Sequence, residues 1–201
     1  MNKEAFLIVD LQFDFLKGGA LEVKNADEVM PEILKLAPNF EIVILTQDWH
    51  PRGHKSFAGS HIGKTPYQTI DWKGSLESLW PDHCVQNSMG AQIHPSILAL
   101  NPKTIIQKGT DIEIDSYSAF FDNHKEKKTG LDSWLKENDV QKLVVCGLAT
   151  DYCVLFTVLD ALELGYEVHV FQPGCRAVNI KPEDGELAFE KMEKAGARLI
   201  S

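Results

Sequence analysis

Three residues far apart in the chain have the right types to attack an amide together: a thiol at Cys153, a carboxylate at Asp10 and an ammonium at Lys108. A thiol is a good nucleophile only as its thiolate, so it needs a base or a cationic neighbour. Asp10 can take the thiol proton and later return it to a leaving amine. Lys108 can hold that carboxylate and balance the charge of the group. The oxyanion formed on attack needs N–H donors, which the backbone at Ala149 and Cys153 supplies. Cys153 follows "CGLATDY" (146–152), where an apolar strand gives way to a helix. Thr150 is the expected N-cap. That places the thiol in the first turn, where free N–H groups and the helix dipole lower its pKa. Taken singly, each residue has an ordinary reading as a packed cysteine, a strand-end turn former or a solvated lysine. Only their coincidence points to catalysis.

A second group is Asp48 and His50 in "DWH" (48–50), with His83 in "WPDHC" (80–84). Side chains two apart in an extended chain point the same way. Two imidazoles and one carboxylate suit zinc, ferrous iron or manganese, with positions left open for water or substrate. His54 and Ser56, in "HPRGHKSF" (50–57), are further candidate ligands. Of the other histidines, His61 has no evident partner, His94 reads as loop, His124 as solvated and His169 as strand.

The elements that must position these groups are strands. "EAFLIVDL" (4–11), "EIVILTQD" (41–48), "TIIQKG" (104–109), "KLVVCGL" (142–148), "EVHVFQP" (167–173) and "ARLIS" (197–201) are strand-like. Most are continuously apolar rather than alternating, as in strands buried on both faces of a parallel sheet. Helical patterns lie between them. One carries Val29/Met30, Ile33/Leu34 and Ala37, with Pro31 near its start. A capping-box pattern, "TGLD" (129–132), opens another that runs to about Asn138. The helix after Thr150 carries Val154/Leu155, Val158/Leu159 and Leu162, and Gly165 stops it. A last helix starts near Pro182 and is expected to bury Leu187, Ala188, Met192 and Ala195. Such alternation predicts an α/β sandwich with right-handed crossovers. In such sheets ligands bind outside the carboxyl ends of the strands. Asp10 ends the first strand, Asp48 and His50 the second and Lys108 the third, and Cys153 follows the fourth. All four groups therefore fall on one edge. The connection from Trp49 to about Pro102 is long and weakly periodic, rich in Gly, Pro, His and Trp, which suggests a functional loop.

With 201 residues the chain has the length of one domain, 1–201. Its formal charge of −9, with no basic stripe, argues against nucleic acid. "HKEKK" (124–128) reads as a solvated loop. No apolar run approaches the length of a membrane span, and no signal peptide is apparent, so a cytoplasmic protein is expected. The cysteines at 84, 146, 153 and 175 show no C-x-x-C pair and are expected to be reduced thiols.

In order along the chain, "DLQFDF" (10–15), "DWH" (48–50), "WPDHCVQNSMGAQIHP" (80–95), "KGTD" (108–111), "DSYSAF" (115–120) and "GLATDYCV" (147–154) resemble the nicotinamidases. These belong to the isochorismatase-like, or cysteine hydrolase, superfamily. The resemblance runs nearly end to end. It implies a Rossmann-like three-layer α/β/α sandwich around a mostly parallel six-stranded sheet. It also implies hydrolysis of nicotinamide to nicotinate and ammonia, a step of NAD salvage, and of pyrazinamide as well. Carried over, Asp10, Lys108 and Cys153 are the triad, with Cys153 forming a thioester on the amide carbon. Asp48, His50 and His83 match the ligands of one divalent metal, zinc ahead of iron or manganese, which takes the pyridine nitrogen. Ser56 or His54 would lie near the remaining metal waters. The resemblance further implies a cis peptide between Leu148 and Ala149 that aims the oxyanion-hole N–H. It places Phe13 and Trp80 against the flat ring, and Tyr117 and Leu148 at the pocket. A small molecule is then the expected partner, without nucleic acid or membrane, and a homo-oligomer is left open. One departure is "QNSMG" (86–90), where Asn87-Ser88 stands in place of an expected Gly-Thr pair.

Rival readings each miss a feature. Isochorismatases cleave a vinyl ether without a catalytic cysteine, and carbamoyl-amide hydrolases lack the metal set. Dinucleotide binding needs G-x-G-x-x-G after a strand, whereas "LQFDFLKGG" follows Asp10. An inactive carrier would lack a triad or metal residue, and none is missing. Oxidation of Cys153 is a liability of an activated thiol rather than its purpose.

Overall fold

The apolar runs become strands in a computed structural model, which describes residues 3–201. The strands are β1 (Lys3–Val9), β2 (Val43–Asp48), β3 (Thr69–Trp72), β4 (Ser75–Ser78), β5 (Thr104–Lys108), β6 (Val140–Leu148), β7 (Glu167–Arg176) and β8 (Arg198–Ile200). Six of them form one sheet in the order β5-β2-β1-β6-β7-β8, with every pairing parallel. The central strands are apolar throughout because both faces are covered. Ala5 to Val9 of β1 and all of β2 are buried. Helices α1 (Val29–Leu36), α3 (Leu131–Glu137), α4 (Leu155–Glu163) and α5 (Asp184–Ala195) flank the sheet, with a short α2 (Pro95–Leu98) in the long connection. The result is the expected three-layer α/β/α sandwich around a single continuous core. Among the described residues, no helix is long and apolar enough to cross a membrane.

The strand order reverses between β1 and β6: the chain moves outward from β1 through β2 to β5, then returns to β6. A crevice opens at such a reversal, outside the carboxyl ends. Asp10 leaves β1 there and Cys153 follows β6. The two strands approach closely at Gly147, opposite Val9. A Cβ on Gly147 would lie 2.1 Å from the Val9 carbonyl oxygen, and its φ is +119°. Gly147→Ala must therefore part the central strands. The expected cost exceeds about 3 kcal/mol, read by chemical denaturation; unchanged stability would contradict this close approach.

Several local expectations give way to geometry. Ala149, not Thr150, occupies the cap position, and Thr150–Val154 form a π turn in which the Val154 N–H reaches back to the Ala149 carbonyl at 3.1 Å. The "TGLD" box does not close. Gly130, at φ +101°, is the cap, and Thr129 Oγ1, one residue outside, accepts from the Leu131 N–H at 3.2 Å. Asp132 instead pairs with Lys136 and Tyr166. Helix α5 buries Ala188 and Met192 but exposes Leu187 and Ala195, because it meets the fold only along a narrow stripe. The long connection contains the β3–β4 antiparallel hairpin, which stands apart from the main sheet. The Asn87-Ser88 departure falls in a tight turn of the loop after His83. Asn87 takes φ +65°, and the Ser88 hydroxyl accepts from the Ala91 N–H at 3.2 Å.

Candidate active site

Lys108 sits at the centre of the crevice with its side chain fully enclosed. Its Nζ lies 2.8 Å from Asp10 Oδ2 and 3.1 Å from Asp48 Oδ1, and donates to the Ser116 carbonyl at 3.0 Å and to Cys153 Sγ at 3.4 Å. The sheet register sets this up: Asp48 and Lys108 are direct partners at the ends of β2 and β5. Asp10, at φ +51°, is turned inward by Thr46, which donates from Oγ1 to Asp10 Oδ1 at 2.5 Å and accepts from its N–H at 3.1 Å. Gln12 holds the backbone of Asp48. Its side-chain amide accepts from the Asp48 N–H and donates to the Asp48 carbonyl, both at 2.7 Å, as an added strand would.

The charges follow from burial and proximity. Burial disfavours the Lys108 ammonium, but the Asp10 and Asp48 carboxylates outweigh it and hold its pKa well above the usual lysine value. For Asp48 burial also opposes ionisation, yet His50 and Lys108 hold its carboxyl well below the ordinary value. Asp10 moves the other way: burial raises it, and Lys108 only partly offsets this. Burial likewise pushes the Cys153 thiol well up; Lys108 opposes this, and the carboxylates of Asp10 and Asp48 add to it. The helix-start expectation of a lowered thiol pKa is therefore overturned. At rest the thiol keeps its proton, beside a carboxylate suited to removing it. The Ala149 N–H has no backbone acceptor among the described residues, and the Leu148–Ala149 peptide is cis.

Beside this group the second set converges. Ligand atoms of Asp48, His50 and His83 lie within 4.8 Å of one another, and all three residues are buried. His83 comes from the long connection, which pairs with the end of β2: the His50 N–H donates to the Cys84 carbonyl at 3.0 Å, and the Gln86 N–H to the His50 carbonyl at 2.8 Å. Asp14 Oδ2 accepts from the Cys84 N–H at 2.7 Å and fixes the same loop. His50 Nδ1 faces the Gly109 carbonyl at 3.0 Å, and His83 Nδ1 the Pro81 carbonyl at 2.8 Å. Each carbonyl takes the Nδ1 proton and so leaves Nε2 as a lone pair. Gly109 is required here, since a Cβ would come within 2.4 Å of the His50 ring. Two imidazole nitrogens and a carboxylate with these tautomers fit a divalent ion. Without a metal, burial would lower His50, but the Asp48 carboxylate dominates and raises its pKa to about 8. The cluster attracts positive charge.

His54 and Ser56 are tied to each other. Ser56 donates from its N–H to His54 Nδ1 at 3.1 Å, and its hydroxyl lies 2.7 Å from the same atom. Burial keeps His54 neutral, so its proton sits on Nε2, which has no hydrogen-bond partner among the described residues. His54 thus presents a donor rather than a lone pair. Asp115, the first residue of the 115–120 motif, groups with His50 and His54 within 4.8 Å.

The pocket above Cys153 is lined by Phe15, Leu21, Trp80, Tyr117, Tyr152 and Val178, with Ala149, Asp48, His83 and Asp115. Trp80 and Tyr117 are among the lining residues. Phe13 is not: its ring packs on His94, 5.6 Å away, and Phe15 takes the pocket position. The turn at Phe13–Phe15 rotates successive side chains apart, and Asp14 pins it. Leu148 is a core side chain that does not line the pocket. His124 is not solvated but half-buried near Glu77, and His61 finds a partner in the Lys55 carbonyl at 2.8 Å. Thr46 stands out in the sequence as a polar residue within an apolar run. Phe15, Tyr152 and Val178 gave no such signal.

An isochorismatase domain model matches residues 4–201. The chain is 50% identical to a nicotinamidase of Escherichia coli over 100% of its own length and 96% of the relative's. Among solved structures it is similar to an Acinetobacter baumanii nicotinamidase/pyrazinamidase (TM-score 0.96, 40% identity, 100% and 97% of the two chains covered). It is also similar to a Pyrococcus horikoshii pyrazinamidase in complex with zinc (TM-score 0.79, 33% identity, 99% of each chain covered). The fold, the convergence at the strand ends and these likenesses lead to one statement: the chain belongs to the isochorismatase domain family.

Proposed function

We propose that the protein is a metal-dependent amidase that hydrolyses nicotinamide to nicotinate and ammonia through a thioester on Cys153. The observation that carries this reading is the junction at Lys108, where thiol, carboxylate and the Asp48 end of a metal set meet within 3.4 Å of one ammonium. The similarity to nicotinamidases over the whole chain supports the substrate. Pyrazinamide, with one more ring nitrogen, fits the same reading.

Asp10 takes the thiol proton as Sγ attacks the carboxamide carbon, and the Ala149 and Cys153 N–H groups receive the charge on oxygen. Asp10 then gives the proton to the amide nitrogen. The C–N bond breaks, ammonia leaves and the thioester remains. A water loses its proton to Asp10 and attacks the thioester; the C–S bond breaks and that proton returns to sulfur. Lys108 stays charged throughout and keeps Asp10 in place. Phe15, Trp80 and Tyr117 exclude water and hold the flat ring. Asp48, His50 and His83 would hold one divalent ion, zinc first, which supplies a Lewis-acid contact for the pyridine nitrogen.

The test is ammonia release from nicotinamide by the metal-replete protein. Release should stop after chelation and return with added metal. His50→Ala should lower bound metal at least about tenfold by elemental analysis, because it removes a direct ligand. No release by folded, metal-loaded protein would defeat the substrate assignment, and unchanged metal content in the variant would defeat the ligand set.

A further inference from the structure

Two walls of the Cys153 pocket, Trp80 and Tyr117, come from segments outside the main sheet. Trp80 lies just past the β3–β4 hairpin, and Tyr117 sits in the irregular stretch between β5 and α3. Neither wall is held by strand pairing in the central sheet, yet the two rings meet edge to face, 6.3 Å between centroids at 90°, and must keep that corner if a flat ring is to lie against it.

Hydrogen bonds join the two in a closed circuit. Trp80 donates from Nε1 to the Tyr117 hydroxyl at 3.0 Å. The Tyr117 N–H donates to Asn123 Oδ1 at 2.9 Å. Asn123 Nδ2 donates to Glu77 Oε2 at 3.1 Å, and Glu77 lies in β4, three residues before Trp80. The Asn123 N–H also donates to the Asp115 carbonyl at 2.7 Å, so the loop that carries this amide is itself fixed. The orientation of the amide is forced. Its oxygen must accept from Tyr117, so its nitrogen faces Glu77 and requires an acceptor there. The Glu77 side chain is 15% exposed, a poorly hydrated place for a carboxylate, and its other oxygen lies 3.4 Å from His124 Nε2.

We propose that Glu77 and Asn123 are positioning residues for the substrate ring: their hydrogen bond closes the circuit that fixes Trp80 and Tyr117 as adjoining walls. The inference rests on the pocket being the nicotinamide site. Neither residue touches the reacting atoms, so they act on binding of the ring more than on the chemical step.

The polarity of the circuit provides its test. Asn123→Asp keeps the acceptor for the Tyr117 N–H but turns a carboxylate toward that of Glu77. KM for nicotinamide should rise about tenfold, the size expected when a buried charged hydrogen bond is lost, with kcat changing far less. Adding Glu77→Gln supplies an N–H donor opposite the new carboxylate and should restore KM. Glu77→Gln alone keeps an acceptor for Asn123 and should stay near the starting KM. Titration of nicotinamide into the same variants built on Cys153→Ala should show matching changes in Kd. If Asn123→Asp does not fold, Glu77→Ala carries the same expected rise. A lowered melting temperature with unchanged KM would overturn the proposal, as would failure of Glu77→Gln to restore binding. Absence of nicotinamide turnover and binding in the unsubstituted protein would instead overturn the functional reading on which it rests.

Discussion

Cys153→Ala should lower nicotinamide turnover by at least about 10⁴-fold, in line with the loss of a nucleophile from a group that acts as a unit. Sγ stands in the pocket beside Lys108, close in sequence to the Ala149 N–H, which has no backbone acceptor among the described residues. Without it Asp10 could still activate a water, but that water would lack the sulfur's position and nucleophilicity. The variant should fold and retain metal. Cys153 is no member of the Asp48, His50 and His83 set, and a small buried side chain becomes one slightly smaller. Two measurements separate the outcomes. Ammonia release gives the loss of rate, and the intact mass after rapid acid quench shows a nicotinoyl adduct on the wild type only. Turnover within tenfold of wild type would end the thioester mechanism, even if the metal and the substrate were right.

The high pKa of that thiol shows what a sequence conveys and what it does not. Strand ends were legible because a strand buried on both faces is a continuous apolar run, and its first charged residue marks where it leaves the core. Asp10, Asp48 and Lys108 were found this way, and the register of β2 and β5 then makes the last two neighbours. The environment of Cys153 was not legible. A helix start can be read locally and implies a lowered thiol pKa. Burial and two nearby carboxylates come from other strands, and together they prevail. Phe13 and Phe15 show the same limit on a smaller scale. Both stand in "FDF", and only the turn geometry, pinned through Asp14 to Cys84, decides which ring enters the pocket. The β3–β4 hairpin escaped notice for a different reason. Its strands are largely exposed or half-buried, so no apolar alternation marked them.

Lys108→Met should be the most destabilising substitution at the site as well as an inactivating one. Methionine has nearly the length of the lysine stem, so packing is largely kept and the loss is electrostatic. What remains is Asp10 and Asp48 facing each other across a buried space, with no cation between them. Removing one partner from a buried ionic group costs about 3–5 kcal/mol. In a chain of this size that corresponds to a fall of roughly 6–20 °C in melting temperature. The penalty arises from the stranded carboxylates, so neutralising one should recover part of it. Lys108→Met with Asp10→Asn should melt above Lys108→Met alone while remaining inactive, because the base is gone as well. Such a non-additive pair distinguishes charge pairing from simple packing. Lys108→Arg keeps the charge, but its wider guanidinium must fit among four fixed partners, so folding without activity is expected. If Lys108→Met melts at the wild-type temperature, or the double variant melts lower still, the ammonium is not what holds the two carboxylates together.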